Sequence, residues 1–416
     1  MNKKTVRDID VKGKRVLVRV DFNVPIKDGK VQDDTRIRAS LPTIKYILDN
    51  GGAVIAMSHL GRPDGRPVPE FSLAPVSEKL AELLGRKVLF AKDCIGEDAL
   101  KMAKTLKPGE VLLLENLRFY PEEEGKPVLP PNASEEEKQS AKRALKKKQV
   151  EFAKKLAALG DVYVNDAFGT AHRAHASIAV VTNFMKEKVA GFLMEKEIKY
   201  LSQALSNPDR PFVAILGGAK ISDKINVITN LLNKVDSIII GGGMAYTFYR
   251  AKGLPIGDSI VEEDKVELAK DILKKAEEKK VKFLLPVDHV VARELSATAQ
   301  TKVVGEKEIE PGWKALDIGP KSIKLFADEI SRAKTVVWNG PMGCFEFEPF
   351  ANGTMSIIKA IANTKCLSII GGGDSVSAIN KSGLADKITH ISTGGGASLE
   401  FLEGKELPGV VVLDNK

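Results

Sequence analysis

Val213-Ala214-Ile215-Leu216-Gly217-Gly218-Ala219-Lys220 is the stretch whose reading decides the fold. A short, wholly apolar run buries both faces, as strands of a parallel sheet do, and the glycine pair closing it leaves backbone bare at the strand's carboxyl end. The same pattern recurs outward from it: run 238–240 ends at Gly241 to Gly243, run 367–370 at Gly371 to Gly373, and run 388–392 at Gly394 to Gly396. In the first half the runs end differently. Run 16–20 leads to Asp21, Phe22 and Asn23, and run 53–57 to Ser58, His59, Leu60, Gly61 and Arg62. Run 111–114 leads to Glu115, Asn116, Leu117 and Arg118, and run 162–164 to Asn165 and Asp166, with His172 and Arg173 beyond. Ligands of such sheets bind outside the carboxyl ends of the strands. One half therefore offers side-chain charge to an anion, and the other offers bare backbone to a nucleotide.

At 416 residues the chain exceeds what one core supports, so two domains are expected. Its 43% hydrophobic and 28% charged residues are ordinary for a soluble globular protein. No apolar run reaches the roughly 18 residues needed to span a bilayer. The start, Met1-Asn2-Lys3-Lys4, is basic without an apolar core, and Leu413-Asp414-Asn415-Lys416 carries no sorting signal, so a cytoplasmic location and no membrane partner are expected. Cys94, Cys344 and Cys366 are widely spaced and form no CxxC pair; buried inert thiols, not a disulfide framework or zinc site, are the reading. A net charge of +8 admits nucleic acid, lipid or small anions as partners. Much of the excess sits at Lys142, Arg143, Lys146, Lys147 and Lys148, between acidic residues 135–137 and Glu151, the mixture of a solvated helix face. Aromatic residues do not interleave with that cluster, so no nucleic-acid partner is expected.

Residues 1–185 alternate strand-like runs with amphipathic segments such as 41–49 and 73–84, which implies a right-handed, doubly wound sheet. A polar excursion, residues 120–131, precedes a helix that Ser134 and Glu137 open as a capping box, running to Leu159. Phe192, Leu193, Ile198, Leu201 and Leu205 fall in a helical pattern, stopped by Asn207-Pro208-Asp209-Arg210-Pro211 before a strand at Phe212. This helix, residues 189–206, is the expected connector between domains. The expected fold class is α/β: two doubly wound, mainly parallel, Rossmann-like sheet domains. The first covers residues 1–188 plus a tail at about 403–416, and the second covers residues 207–402.

Lys220 and Lys224 stand four residues apart after the glycine pair. On a helix starting there, both ammonium groups share one face beside N–H groups suited to phosphate; paired lysines on a helix also dress plain solvent-exposed surface, but the position after a strand and glycines favours phosphate. No GxxxxGK[ST] occurs, which disfavours a Walker-type NTPase. Asp374 follows a glycine triplet, where a carboxylate repels phosphate unless a cation intervenes. Magnesium meets that need, and Asp374 is also placed to cap the next helix, two roles that can coexist. In the first half Arg36, His59, Arg62, Arg118 and Arg173 lie at or soon after strand ends, with guanidinium groups suited to bidentate grip on phosphate or carboxylate. His172 and His175 read equally well as satisfied structural histidines. No Ser-His-Asp nucleophile or metal triad is visible, so the chemistry is one of positioning and charge neutralisation.

Several stretches, in order, resemble the phosphoglycerate kinase family over essentially the whole chain. They are Arg19-Val20-Asp21-Phe22-Asn23-Val24-Pro25, Ser58-His59-Leu60-Gly61-Arg62-Pro63, Leu114-Glu115-Asn116-Leu117-Arg118-Phe119, Asn165-Asp166-Ala167-Phe168-Gly169-Thr170-Ala171-His172-Arg173, Leu216-Gly217-Gly218-Ala219-Lys220, Val337-Trp338-Asn339-Gly340-Pro341 and Gly371-Gly372-Gly373-Asp374. The resemblance implies a monomeric glycolytic and gluconeogenic kinase. It would move a phosphoryl group reversibly from 1,3-bisphosphoglycerate to Mg-ADP, giving 3-phosphoglycerate and ATP, by charge neutralisation and domain closure. By the family's pattern Asp21, Asn23, Arg36, His59, Arg62, Arg118 and Arg173 hold phosphoglycerate. Gly218, Lys220, Gly242, Ala315, Leu316, Asn339, Pro341, Glu346 and Gly373 hold the nucleotide, and Asp374 with Ser375 manages magnesium and the phosphates. Arg36, Lys220 and Lys224 are the charges expected to serve catalysis.

Two positions depart from the commonest family pattern. Ala315 stands where many relatives carry glycine beside the adenine pocket, adding one methyl group, and Ser375 stands for threonine, keeping the hydroxyl. The insertion from Tyr120 to about Val150 is given no role. In the ATP-consuming direction the acceptor is a carboxylate already ionised at neutral pH, so no general base is required and Asp21 is expected to bind a substrate hydroxyl. Two other classes fit parts of the pattern. A two-domain binding protein would close on an anion with no use for a metal at Asp374. A nucleic-acid binder would show steep salt dependence and indifference to loss of His59.

Overall fold

The computed structural model describes residues 2–127 and 129–416; Met1 and Val128, the latter inside the polar excursion, lie outside the described residues. The chain divides into two compact units, Met1–Lys199 with Glu406–Lys416, and Tyr200–Lys405. The class is α/β, with a six-stranded parallel sheet in each unit.

In the first unit the strands lie in the order Val88–Phe90, Val111–Leu113, Ala53–Met57, Arg15–Arg19, Val162–Asn165, Lys188–Ala190, all pairings parallel. Ala53–Met57 and Val162–Asn165 are buried at every position, as strands covered on both faces must be. Helix Thr35–Asp49 lays Ile37, Ile44 and Ile47 into the core with Val18, Val20, Val54 and Val164. The strand order reverses between Arg15–Arg19 and Val162–Asn165, which puts a crevice beyond their carboxyl ends, where Asp21 and Asp166 follow.

Helix Glu135–Ala157 opens with the expected capping box: Ser134 Oγ accepts the Glu137 N–H at 3.2 Å and Glu137 Oε2 accepts the Ser134 N–H at 2.7 Å. It buries Leu145, Phe152 and Leu156 and leaves Lys142, Arg143, Lys146, Lys147 and Lys148 exposed. Near the end of the chain a short helix, Pro408–Val411, buries Val410.

In the second unit the order is Lys282–Leu284, Ser237–Ile240, Phe212–Leu216, Thr335–Asn339, Leu367–Gly371, His390–Ile391, again all parallel. Its switch point falls between Phe212–Leu216 and Thr335–Asn339, with Leu216 opposite Asn339. The glycine loops that follow these two strands are therefore neighbours. Trp338, Phe326, Ile357 and Ile370 fill the core beneath. A three-stranded antiparallel sheet, Thr301–Gly305, Asp288–Ala292, Lys314–Ile318, interrupts the expected strand–helix repetition. Thr301–Gly305 buries only Val304, so no continuous apolar run announces this sheet.

Candidate functional site

In the first unit the charged residues expected at strand ends do gather. Arg36, in the first turn of its helix, donates to Asp21 Oδ2 at 2.9 Å, while Asp21 Oδ1 accepts the Asn23 N–H at 3.2 Å. Asn23 Oδ1 accepts the Gly61 N–H at 2.9 Å, and Arg118 Nη1 donates to the Gly61 carbonyl at 2.8 Å. Asp21, Asn23, Arg36, Gly61 and Arg118 thus form one hydrogen-bonded chain, with His59 buried just before Gly61. Arg62 is exposed and makes no ion pair among the described residues.

Arg173 joins through a residue the sequence reading gave no role. Glu124 Oε1 lies 3.3 Å from Arg118 Nε and 3.8 Å from Arg173 Nη1. Glu124 closes the short helix Pro121–Glu124, the start of the excursion, so that segment belongs to the site. Its neighbour Glu123 is wholly buried and takes both the N–H and hydroxyl of Ser177, at 2.9 and 2.6 Å. Nothing in a run of three glutamates distinguishes the buried one, and only the fold reveals it.

Burial drives His59 well below its ordinary value, with Arg19, Arg118, His175 and Arg36 adding to the effect, so it is neutral here. Burial likewise pulls His175 down to about 3, helped by Arg19 and Arg118.

In the second unit the glycines divide into two kinds. A Cβ on Gly217 would overlap the carbonyl oxygens of Pro341 and Gly340, one on Gly340 would overlap the Gly217 carbonyl, and one on Gly242 would lie 2.6 Å from Gly218 N. The Gly218 N–H is spent on the Pro341 carbonyl at 3.1 Å, the Gly242 N–H on Met342 at 2.9 Å, and the Gly340 N–H on the buried Ser375 hydroxyl at 2.7 Å. These glycines, and the Ser375 hydroxyl, lock three loops together. Gly373 is different: a Cβ there meets nothing within 4 Å.

Helix Gly373–Ser382 begins at that open position, capped by Gly372 at φ 93° with no side-chain hydrogen bond. Its first N–H groups are therefore unspent at the positive end of the helix dipole. Asp374 sits within the first turn and not at the cap, which corrects the capping expectation. Beside this terminus lies Asn339: its Oδ1 accepts from Lys224 Nζ, and its Nδ2 is buried without a partner. Gly372 is packed against that same amide.

The shared helical face expected for Lys220 and Lys224 is not formed. Residues 218–224 form no helix, and the helix starts at Ile225, with Lys224 as its cap. Lys224 is buried and burial lowers its pKa, opposed by Asp223, Asp374 and Glu403; Lys220 is exposed and makes no ion pair among the described residues.

Ala315 is buried in an apolar cluster with Tyr246, Tyr249 and Val291, and its N–H donates to Ser259 Oγ at 2.9 Å. The Leu316 carbonyl accepts the Cys344 N–H at 2.9 Å, which brings Leu316 near exposed Glu346. Of the cysteines only Cys94 is fully buried; Cys344 and Cys366 are half-buried.

No group of three or more His, Cys, Asp or Glu side chains able to hold a metal occurs among the described residues. Magnesium does not ask for such a cage, since it is usually held by one or two carboxylates together with substrate phosphates and water. A lone exposed Asp374 in the first turn of an open helix terminus fits that habit.

An arginine cluster at one sheet's switch point and an open, lysine-flanked helix terminus at the other's mark a nucleotide-dependent phosphotransferase of α/β type. Comparison with known proteins narrows the class: residues 6–405 match the family described as phosphoglycerate kinase, and the chain belongs to that family. It is 56% identical over 418 residues to the phosphoglycerate kinase of Chloroherpeton thalassium, covering 100% of each chain. With that of Clostridium tetani it shares 54% over 417 residues, covering 100% of this chain and 98% of the other. Among solved structures, phosphoglycerate kinase from Coxiella burnetii superposes with a TM-score of 0.86 at 40% identity, covering 99% of this chain and 98% of the other. The Pyrococcus horikoshii enzyme gives 0.79 at 34%, with the same coverage.

Proposed function

We propose that the protein carries out the reaction of its family, reversible phosphoryl transfer between the acyl phosphate of 1,3-bisphosphoglycerate and Mg-ADP, as a cytoplasmic monomer. The observation that carries this reading is the open terminus at Gly373, flanked by Lys224 and the unpartnered Asn339 amide, at the switch point of a parallel sheet. Phosphates bind there through backbone N–H groups, and exposed Lys220 supplies a mobile charge to the transferring group. Asp374 would hold magnesium together with the nucleotide's phosphates, and the ion would supply charge neutralisation.

Phosphoglycerate is held by Asn23, Arg36, His59, Arg62, Arg118 and Arg173. Asp21 is hydrogen-bonded to Arg36, so it orients that guanidinium as well as accepting from a substrate hydroxyl. No residue need take a proton, because the acceptor carboxylate is already ionised. The ligands belong to different units, and in-line transfer requires them to be brought together, so closure is part of the proposal. The test is a coupled assay of ADP formation from 3-phosphoglycerate and ATP with and without magnesium, with sedimentation of the active species. Absence of turnover with magnesium present overturns the reading.

A further inference from the structure

Arg19 lies at the end of its strand with no solvent exposure, beneath the phosphoglycerate site. A buried guanidinium demands a counter-ion and acceptors. Its Nε donates to Ser177 Oγ at 2.8 Å, and the Ser177 hydroxyl donates onward to Glu123 Oε1 at 2.6 Å. Arg19 Nη2 stands 3.9 Å from the same carboxylate, and Nη1 donates to the Val20 carbonyl. The remaining polar neighbour of Nη2 is His59 Nδ1, at 3.3 Å.

Arginine has only donors, so the His59 nitrogen facing it must accept, and the ring proton must sit on Nε2. We infer that the buried Arg19–Ser177–Glu123 relay fixes His59 in its neutral Nε2–H tautomer, presetting a donor, not a cation, for the phosphoglycerate site. Arg19, Ser177 and Glu123 are thus positioning residues. Glu123 comes from Pro121–Glu124 and Ser177 from the π-helical turn Ala176–Val180, so two segments distant in sequence set the state of one ring. The strongest charged neighbours of His59 are Arg19, Arg118, His175 and Arg36, three of them permanent cations, and all oppose its protonation, while the Glu123 carboxylate stands behind Arg19. The tautomer stands on geometry alone, while its use in binding rests on the reading above.

Long-range proton–nitrogen NMR of full-length protein with labelled histidine reads the tautomer directly, the His59 signal being assigned by its loss in His59→Gln. The expected spectrum shows a single Nε2–H form between about pH 6 and 8. A proton on Nδ1, or on both nitrogens, in the wild-type spectrum overturns the inference. Glu123→Gln should mix the tautomers and raise KM for 3-phosphoglycerate about tenfold, with kcat and the nucleotide KM within about twofold. A variant keeping the pure tautomer and normal KM also overturns it. If Glu123→Gln does not fold, Ser177→Ala cuts the same relay and is read the same way. Wild-type protein that turns over no phosphoglycerate would instead overturn the functional reading, leaving the tautomer to be judged by its spectrum.

Discussion

Gly373→Ala separates the two kinds of glycine in the second unit. The added Cβ meets nothing within 4 Å, and the position is the first of a helix with no left-handed φ. The free protein should therefore be unharmed, and by restricting the unfolded chain the change should stabilise it by up to about 1 kcal/mol. For a unit of this size that is a rise in Tm of roughly 1–4 °C. The nucleotide should respond the opposite way. A methyl group on the first turn holds a docking phosphate off the N–H groups, and losing one charge-assisted hydrogen bond costs about 1.5–3 kcal/mol, at least a tenfold rise in nucleotide Kd. Calorimetric titration with ADP and a thermal melt of the same preparation read both numbers. A melt raised or unchanged alongside unaltered ADP affinity would refute phosphate docking at this terminus. Gly217→Ala is the control: its Cβ collides with backbone carbonyls of Gly340 and Pro341, so it should lose stability by about 1–3 kcal/mol before any ligand is added.

Lys220→Ala, at an exposed and unpaired position, should leave stability within about 0.5 kcal/mol and lower kcat on the order of a hundred- to thousandfold; near-normal turnover by the coupled assay would make Lys220 mere surface. Lys224→Met should also melt earlier, because it strips Asn339 Oδ1 of the Lys224 ammonium, and equal melting of the Lys220 and Lys224 variants would contradict their different burial. Arg62→Ala should raise KM for phosphoglycerate and leave ADP affinity unchanged by titration calorimetry, since no ADP residue is assigned to its unit. Burial pushes Asp317 up to about 7, so the folded second unit keeps a proton that the unfolded chain sheds near 4. That stabilisation is complete below about pH 4 and gone above about pH 7, while His289, pulled down to about 4 by burial, acts oppositely in the same window. The stability difference between wild type and Asp317→Asn, from urea midpoints, should therefore shrink between about pH 5 and pH 8; a constant difference would rule out the titration.

Strands buried on both faces were legible because runs such as Ala53–Met57 are apolar throughout, too short for a buried helix and bounded by turn residues. Their carboxyl ends were legible because polar residues mark them: Asp21 and Arg118 lie soon after a strand, Asn339 closes one, and Asp374 follows the glycines that end another. The antiparallel sheet was not, because Lys302 and Val303 alternate with solvent and leave only Val304 inside. Lys220 and Lys224 were found by their position after glycines, but their geometry was misjudged: spacing fixes a shared face only if a helix has already begun, and this one begins at Ile225. Glu123 and Glu124 escaped because a carboxylate in a polar excursion looks solvated until tertiary structure carries arginines to it. The glycine runs were legible as loops, while which of them loop packing requires, as at Gly340 with φ 96°, depended on strands distant in sequence.

The closing residues Glu406–Lys416 belong to the first unit, not the one they directly follow. Asn165 Nδ2 donates to the Gly409 carbonyl at 3.0 Å, the Lys4 N–H to the Asp414 carbonyl at 2.8 Å, and the Lys188 N–H to Asp414 Oδ2 at 3.1 Å. Leu407 and Val410 are fully buried. On the ribosome, therefore, the half of the molecule that emerges first is the half that finishes last. Its sheet waits, with the seat for this segment unfilled, while all of Tyr200–Lys405 is synthesised and free to fold as an independent insert. A chain stalled short of residue 406 would leave the Lys4 and Lys188 N–H groups and the Asn165 amide of the first unit without these partners.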